Sequence, residues 1–115
     1  GLMVPGPVQE AAVVALDDDQ HVELQRDRYR SRLERLATVF GEWSGVDIPL
    51  PDGAFYLWIP AGDGWDFTRR LALDGGALVS PGEFYGPAGA GHVRVAVVQP
   101  DDRIDVVVDR LTARI

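Results

Sequence analysis

The sequence predicts an α+β domain in which helices pack on a small antiparallel or mixed sheet. Apolar residues recur at helical spacing in the first forty or so residues and again in the last fifteen. Between these segments lie short runs rich in aromatic and β-branched residues, separated by Gly and Pro. With 115 residues and 46% hydrophobic content, the chain is assigned to one domain with a single core.

The first half of the chain is predicted to form two helices. Pro5 and Pro7 favour a first turn, which places a short helix over residues 7–16. The acidic triplet 17–19 then suits the positive end of a second helix, over residues 20–43. The apolar seam of that helix comprises Val22, Tyr29, Leu33, Leu36, Phe40 and Trp43. This seam is predicted to pack on the sheet or on a neighbouring domain, and the arginines beside it (Arg28, Arg30, Arg32 and Arg35) are interpreted as a solvated face.

The second half is predicted to contain four short strands and two helices. The strands cover residues 46–50, 54–59, 77–80 and 92–98. A helix in "GDGWDFTRRLALDGG" is predicted to be capped by Asp66 and ended by Gly75-Gly76, with Phe67 and Leu71 inward. The inward face of the final helix is predicted to comprise Ile104, Val107, Val108, Leu111 and Ile115. The predicted order is therefore helix, helix, strand, strand, helix, strand, strand, helix.

Arg94 lies in the middle of the strand "GHVRVAVVQP". Strand alternation places Val93, Val95 and Val97 on one face, and Arg94 on the other. An Arg on this second face can point at water or pair at the surface. If the face is covered, Arg94 requires an anionic partner, since an unpaired buried charge is very unfavourable. Alternation alone favours the first of these two interpretations.

The composition excludes several classes of function. A net charge of −7 argues against nucleic-acid and anionic-membrane surfaces, and no apolar run is long enough for a membrane span. The chain has no Cys and only two His, which argues against a metal site and indicates a cytoplasmic setting. All eleven basic residues are Arg, so Schiff-base chemistry on a lysine cannot occur within this chain. Gly1-Leu2 is interpreted as a tag remnant or as a cut inside a longer protein.

The residues alone do not identify a catalytic set. Ser80 lacks the Gly-x-Ser-x-Gly context of a nucleophile elbow. Glycines at positions 82, 86, 89 and 91 resemble a phosphate-binding loop only loosely, because the lysine and the following helix are missing. These glycines are interpreted as turn residues.

Three motifs together resemble the C-terminal part of class I aminotransferases, which are pyridoxal-phosphate enzymes of fold type I. The motifs are "VPGPVQEAAVVAL", "PDGAFYLW" and "VSPGEFYGPAGAGHVRVAVV", in that order, followed by a terminal helix. The similarity covers essentially the whole chain and is greatest to the succinyldiaminopimelate aminotransferase branch of actinobacteria. It implies that residues 1–115 are the small C-terminal domain of a longer enzyme, expected to be a homodimer, whose large domain is absent.

The resemblance assigns roles to two residues. Arg94 falls on the family's Arg that binds the substrate α-carboxylate, and a bidentate guanidinium suits that ligand. Phe55 falls near the substrate pocket, with a place in the sheet core as its alternative role. The cofactor lysine and the other pyridoxal-phosphate ligands would lie upstream, so no catalytic or cofactor-binding residue is expected in this chain.

The resemblance also implies a reaction. The parent enzyme would transfer an amino group between glutamate and N-succinyl-2-amino-6-oxopimelate in lysine biosynthesis. Its partners would be amino-acid and oxo-acid substrates, and the isolated chain is expected to be inactive. Two alternatives remain open: a transaminase acting on aromatic or branched-chain amino acids, and a free-standing amino-acid-binding regulatory module.

Overall fold

The structure, a computed structural model, describes residues 3–115. Gly1 and Leu2, interpreted above as a remnant or a cut end, lie outside this range. The elements are α1 (Gly6–Leu16), α2 (Asp19–Ser44), β1 (Tyr56–Pro60), α3 (Gly64–Asp74), β2 (Ser80–Pro81), β3 (His92–Ala96) and α4 (Asp101–Thr112). Two short 3-10 turns, Gly82–Tyr85 and Pro87–Gly89, lie between β2 and β3. The predicted α+β class is confirmed.

The sheet has three strands in the order β1-β3-β2, and both pairings are antiparallel. The central strand, β3, places Arg94 opposite Trp58 on one side and opposite Ser80 on the other. The predicted alternation of β3 is confirmed, because Val93, Val95 and Val97 are buried while Arg94 lies on the other face.

The hydrophobic core lies between one face of the sheet and helices α2, α3 and α4. Its buried residues are Leu33, Leu36, Val39, Phe40, Leu57, Ile59, Phe67, Leu71, Val93, Val95, Val97, Ile104 and Leu111. Helix α1 contributes no buried residue. None of the helices between residues 3 and 115 combines the length and apolarity that a bilayer span needs. The opposite face of the sheet carries no helix from this core, which leaves the side chains around Arg94 accessible.

The helix ends follow ordinary capping chemistry. Asp18 caps α2 by accepting a hydrogen bond from the Gln20 amide at 3.0 Å, in agreement with the prediction for the acidic triplet. The predicted cap of α3 is wrong by three residues. Asp63, in extended conformation, is the cap and accepts from the Asp66 amide at 2.9 Å, so Asp66 lies in the first turn.

Three predicted strand and helix boundaries are also wrong. Residues 46–50 form no strand, because Val46 and Ile48 pack against the core as side chains while Pro49 offers no amide for pairing. The strand predicted over 77–80 is reduced to Ser80–Pro81. The predicted inward position of Ile115 is also wrong. Ile115 is exposed, because α4 ends at Thr112 and the helical spacing does not continue to residue 115.

The arginine face of α2 is not simply solvated. Arg32 donates to Asp101 at 2.6 Å, and Arg35 pairs with Asp105, so that two ion pairs join α2 to α4. The Arg32 side chain is only 12% exposed. Its hydrogen bond is the main cause that lowers the pKa of Asp101 below the ordinary value of 3.8. The prediction of a solvated face is therefore wrong for Arg32, whereas Arg35 remains exposed beside its partner.

Candidate carboxylate-binding site

Arg94 occupies the centre of the sheet face that lies opposite the core. Its backbone is held on both sides, by β1 at Trp58 and by β2 at Ser80. The inward neighbours Val93 and Val95 anchor the strand in the core. The Arg94 side chain is therefore projected from a well-supported position and is itself partly buried.

Two aromatic rings contact the Arg94 guanidinium. Its central carbon lies 4.6 Å from the ring centre of Tyr85 and 5.4 Å from that of Tyr56. Trp58 stacks on His92 with ring centres 5.1 Å apart, and meets Tyr85 edge-on at 5.9 Å. We call the surface formed by Tyr56, Trp58, Tyr85 and His92 around Arg94 the aromatic face. The Tyr85 and Tyr56 rings lie close enough to the guanidinium to stabilise the cation and to reduce its access to water.

Arg94 has no acidic partner among residues 3–115. None of the ion pairs formed by the described residues includes it. Its Nε atom is buried and lacks a hydrogen-bond partner. Arg32, the other arginine with a largely covered side chain, has a carboxylate at 2.6 Å. Arg94 is therefore a partly desolvated cation whose remaining requirement is an anion.

The loop between β2 and β3 places Tyr85 over Arg94. Gly82 and Gly89 are buried against each other, and a Cβ atom on Gly82 would lie 2.2 Å from the Gly89 carbonyl oxygen. Gly86 has a φ of 116°, a backbone conformation that L side chains rarely adopt. These glycines let the loop fold closely onto β3. This arrangement agrees with their interpretation as turn residues.

Phe55 lies just before β1 and outside the sheet core. It is 42% exposed and packs against Tyr29 at 5.5 Å and Tyr56 at 5.2 Å between ring centres. It also lines a groove of about 670 Å³ between α2 and residues 50–55. The alternative role in the sheet core is wrong, since the Phe55 side chain is exposed and is not among the buried core residues. Phe55 is connected to Arg94 through the Tyr56 ring.

The other members of the aromatic face were not predicted as site residues. Alternation in β1 could have identified Tyr56 and Trp58, because the alternate residues Leu57 and Ile59 are buried. The position of Tyr85 depends on the path of a glycine-rich loop, for which the sequence carries no periodic signal.

Comparison with known proteins identifies the class of this chain. Residues 1–111 match the family model described as Aminotransferase class I and II. The chain belongs to this family.

Three relatives are similar in sequence to this chain over most of its length. It is 45% identical over 112 residues to a protein of Mycobacterium tuberculosis named probable aminotransferase Rv1178, covering 97% of this chain and 27% of that protein. It is 46% identical to 4-dedimethylamino-4-oxo-anhydrotetracycline transaminase OxyQ of Streptomyces rimosus (97% and 31% covered). It is 32% identical to LL-diaminopimelate aminotransferase of Oleidesulfovibrio alaskensis (92% and 28% covered). The chain thus spans less than a third of the length of these relatives.

Solved structures give the same fold. The substrate-bound BacF structure from Bacillus subtilis superposes with a TM-score of 0.78 at 27% identity, covering 96% of this chain and 30% of that one. An aminotransferase from Neisseria meningitidis superposes with a TM-score of 0.74 at 34% identity, covering 95% and 30%. The predicted likeness to fold type I aminotransferases is confirmed at the level of the fold.

Members of the class I and II family use pyridoxal phosphate as their cofactor. The aromatic face offers a guanidinium, an imidazole and phenol groups, but the sequence contains no lysine amine to form a covalent bond with the cofactor aldehyde. The chain therefore does not fit the anchoring role.

Proposed function

We propose that this chain is the small C-terminal domain of a longer pyridoxal-phosphate-dependent aminotransferase, in which Arg94 binds the α-carboxylate of the amino-acid or oxo-acid substrate. The observation that carries the proposal is the partly buried guanidinium of Arg94, which has aromatic neighbours but no acidic partner within residues 3–115. Family membership favours this enzyme over a free-standing regulatory module.

The geometry supports binding and orientation of the substrate. Because Nε of Arg94 is buried, a carboxylate would approach the end of the guanidinium that carries the two Nη atoms. A bidentate pair at that end fixes both the position and the plane of the carboxylate. The rings of Tyr56 and Tyr85 reduce the access of water to the guanidinium, which strengthens the pair. Orienting the substrate in this way is the contribution that we assign to the chain.

For the whole protein we propose a cytoplasmic homodimer, with the cofactor held by a large domain outside this sequence. The substrate that we propose is N-succinyl-2-amino-6-oxopimelate, with glutamate as amino donor, in lysine biosynthesis. This choice is supported by the motifs of the sequence and by the diaminopimelate aminotransferases among the relatives.

A transaminase acting on aromatic substrates is the second candidate. The exposed rings of Tyr56, Trp58 and Tyr85 beside Arg94 would suit a planar side chain. The 46% identical OxyQ is named for a polycyclic substrate, which also favours this candidate. Assaying the longer protein against a panel of oxo acids distinguishes the two, since the first candidate requires the acylated aliphatic substrate to be preferred over phenylpyruvate.

The assignment of Arg94 is tested by substitution in the longer protein. Arg94→Ala should lower kcat/KM. The expected loss of transition-state stabilisation is about 2–5 kcal/mol, the range for removing one partner of a desolvated charge pair. Arg94→Lys should recover only part of this loss, because an ammonium cannot form the planar fork.

The control is Arg103→Ala, which removes an exposed arginine of α4 and should leave kcat/KM unchanged. Folding is checked by thermal unfolding of each variant. If Arg94→Ala unfolds the protein while kcat/KM per folded molecule is retained, Arg94 is structural and the proposal is wrong.

A further inference from the structure

Tyr85 is the aromatic neighbour closest to the Arg94 guanidinium. The distance from the guanidinium carbon to the ring centre is 4.6 Å for Tyr85 and 5.4 Å for Tyr56. Cation–π attraction extends to about 6 Å, so Tyr85 lies well inside the effective range and Tyr56 near its limit. Tyr85 is therefore the main contact that determines the orientation of the guanidinium.

The ring of Tyr85 is itself held in place. Its loop is fixed on β3 by the close approach of Gly82 to Gly89 and to the His92 carbonyl. Two turn hydrogen bonds close the loop, from the Gly86 amide to the Glu83 carbonyl at 3.0 Å and from the Gly89 amide to the Gly86 carbonyl at 2.9 Å. The edge of the Trp58 ring supports the Tyr85 ring from β1. These contacts leave Tyr85 half exposed but restrict where its ring can lie.

A long arginine side chain without an acidic partner otherwise has many rotamers. Fixing it in one conformation when a ligand binds has an entropic cost that weakens binding. A ring that already holds the guanidinium removes part of that cost before the ligand arrives. The unpartnered, buried Nε of Arg94 agrees with such a fixed arrangement, because a mobile side chain would place this atom in water.

We propose that Tyr85 is a positioning residue that holds the Arg94 guanidinium with its two Nη atoms directed at the substrate carboxylate. This inference rests on the proposed function of Arg94 and adds a residue that determines carboxylate affinity. The ring of Tyr85 carries the effect, and its hydroxyl group is not required.

The test compares three variants of the longer protein. Tyr85→Leu should raise KM for both amino-acid and oxo-acid substrates about 5- to 10-fold, with a smaller change in kcat, since the ring acts before chemistry. Tyr85→Phe should stay within about 2-fold of the original KM, because the ring is retained. The control is Phe84→Leu, which removes the adjacent, exposed ring that contacts Trp65 and not Arg94.

A second measurement on the 115-residue chain reports the contact directly. The Nε–H resonance of Arg94 should shift in the proton dimension when Tyr85 is replaced by Leu, since the ring current is lost, and should not shift in Phe84→Leu. Tyr85 is 49% exposed, so the substitution should fold; Tyr85→Met provides a second aliphatic variant.

The outcomes separate this inference from the proposed function. If Arg94→Ala raises KM but Tyr85→Leu and Tyr85→Met behave like Phe84→Leu, the positioning role is wrong and the proposed function stands. If Tyr85→Phe is as impaired as Tyr85→Leu, the hydroxyl acts instead of the ring, which also overturns the inference. If Arg94→Ala leaves KM unchanged, the proposed function itself fails.

Discussion

Replacing Gly82 by Ala should destabilise the chain through a backbone clash beside the aromatic face. The added Cβ atom would lie 2.2 Å from the Gly89 carbonyl oxygen and 2.7 Å from that of His92. Ordinary contact begins at 3.4 Å, so one of these backbone segments must move by about 1 Å. Neither oxygen belongs to a flexible side chain, and His92 is part of the central strand. Overpacking of this kind lowers the free energy of unfolding by about 1–3 kcal/mol.

The measurement is urea unfolding of the 115-residue chain followed by tryptophan fluorescence. Trp58 reports on the loop because its ring meets Tyr85. The matched control is Gly53→Ala, at a glycine without a left-handed φ and with open space around the new Cβ atom. This control should lose no stability. If Gly82→Ala has the same urea midpoint and slope as Gly53→Ala, the carbonyl oxygens of Gly89 and His92 do not approach Gly82 closely and the predicted clash is wrong.

Two further predictions concern the packing of α4. Asp101→Asn should lower the free energy of unfolding at neutral pH, because Arg32 loses its carboxylate. Since the pKa of Asp101 is lowered in the folded chain, this difference should be complete above pH 3.8 and should disappear as the pH falls through the lowered value. Unfolding curves at several pH values test this, and a difference that persists unchanged in acid would contradict it. Leu111→Ala should lower the free energy of unfolding by about 2–5 kcal/mol, because Leu111 is fully buried. Ile115→Ala, at an exposed position four residues further on, should change it by less than about 0.5 kcal/mol in the same urea experiment.

Features set by local periodicity could be predicted from the sequence. Alternation identified the buried valines of β3 and the outward position of Arg94, because a strand has no other way to arrange successive side chains. A cap within the acidic triplet 17–19 followed from the preference of carboxylates for helix N-termini, and the structure identifies Asp18 as that cap. In α3, the same preference applied equally to Asp63 and Asp66, and only the backbone conformation decides between them.

Features that depend on contacts between distant residues could not be predicted in the same way. The pair of Arg32 with Asp101 joins residues 69 positions apart, and nothing local distinguishes Arg32 from the exposed arginines of α2. The motifs "PDGAFYLW" and "VSPGEFYGPAGAGHVRVAVV" indicated Arg94 as a site residue, but not the rings around it. Tyr85 reaches Arg94 only because two glycines allow a loop to fold onto the sheet. Such a position follows from the path of the backbone.

The central place of β3 restricts how Arg94 can move. Both edges of the strand are paired, and the residues on either side of Arg94 are locked into the close-packed interior. A local shift of the backbone at Arg94 would break sheet hydrogen bonds and displace core valines together. The backbone at Arg94 can therefore move toward or away from a bound molecule only when the sheet and its three packed helices move as one rigid body. In an enzyme that closes over its substrate, the hinge for that motion would have to lie outside β3.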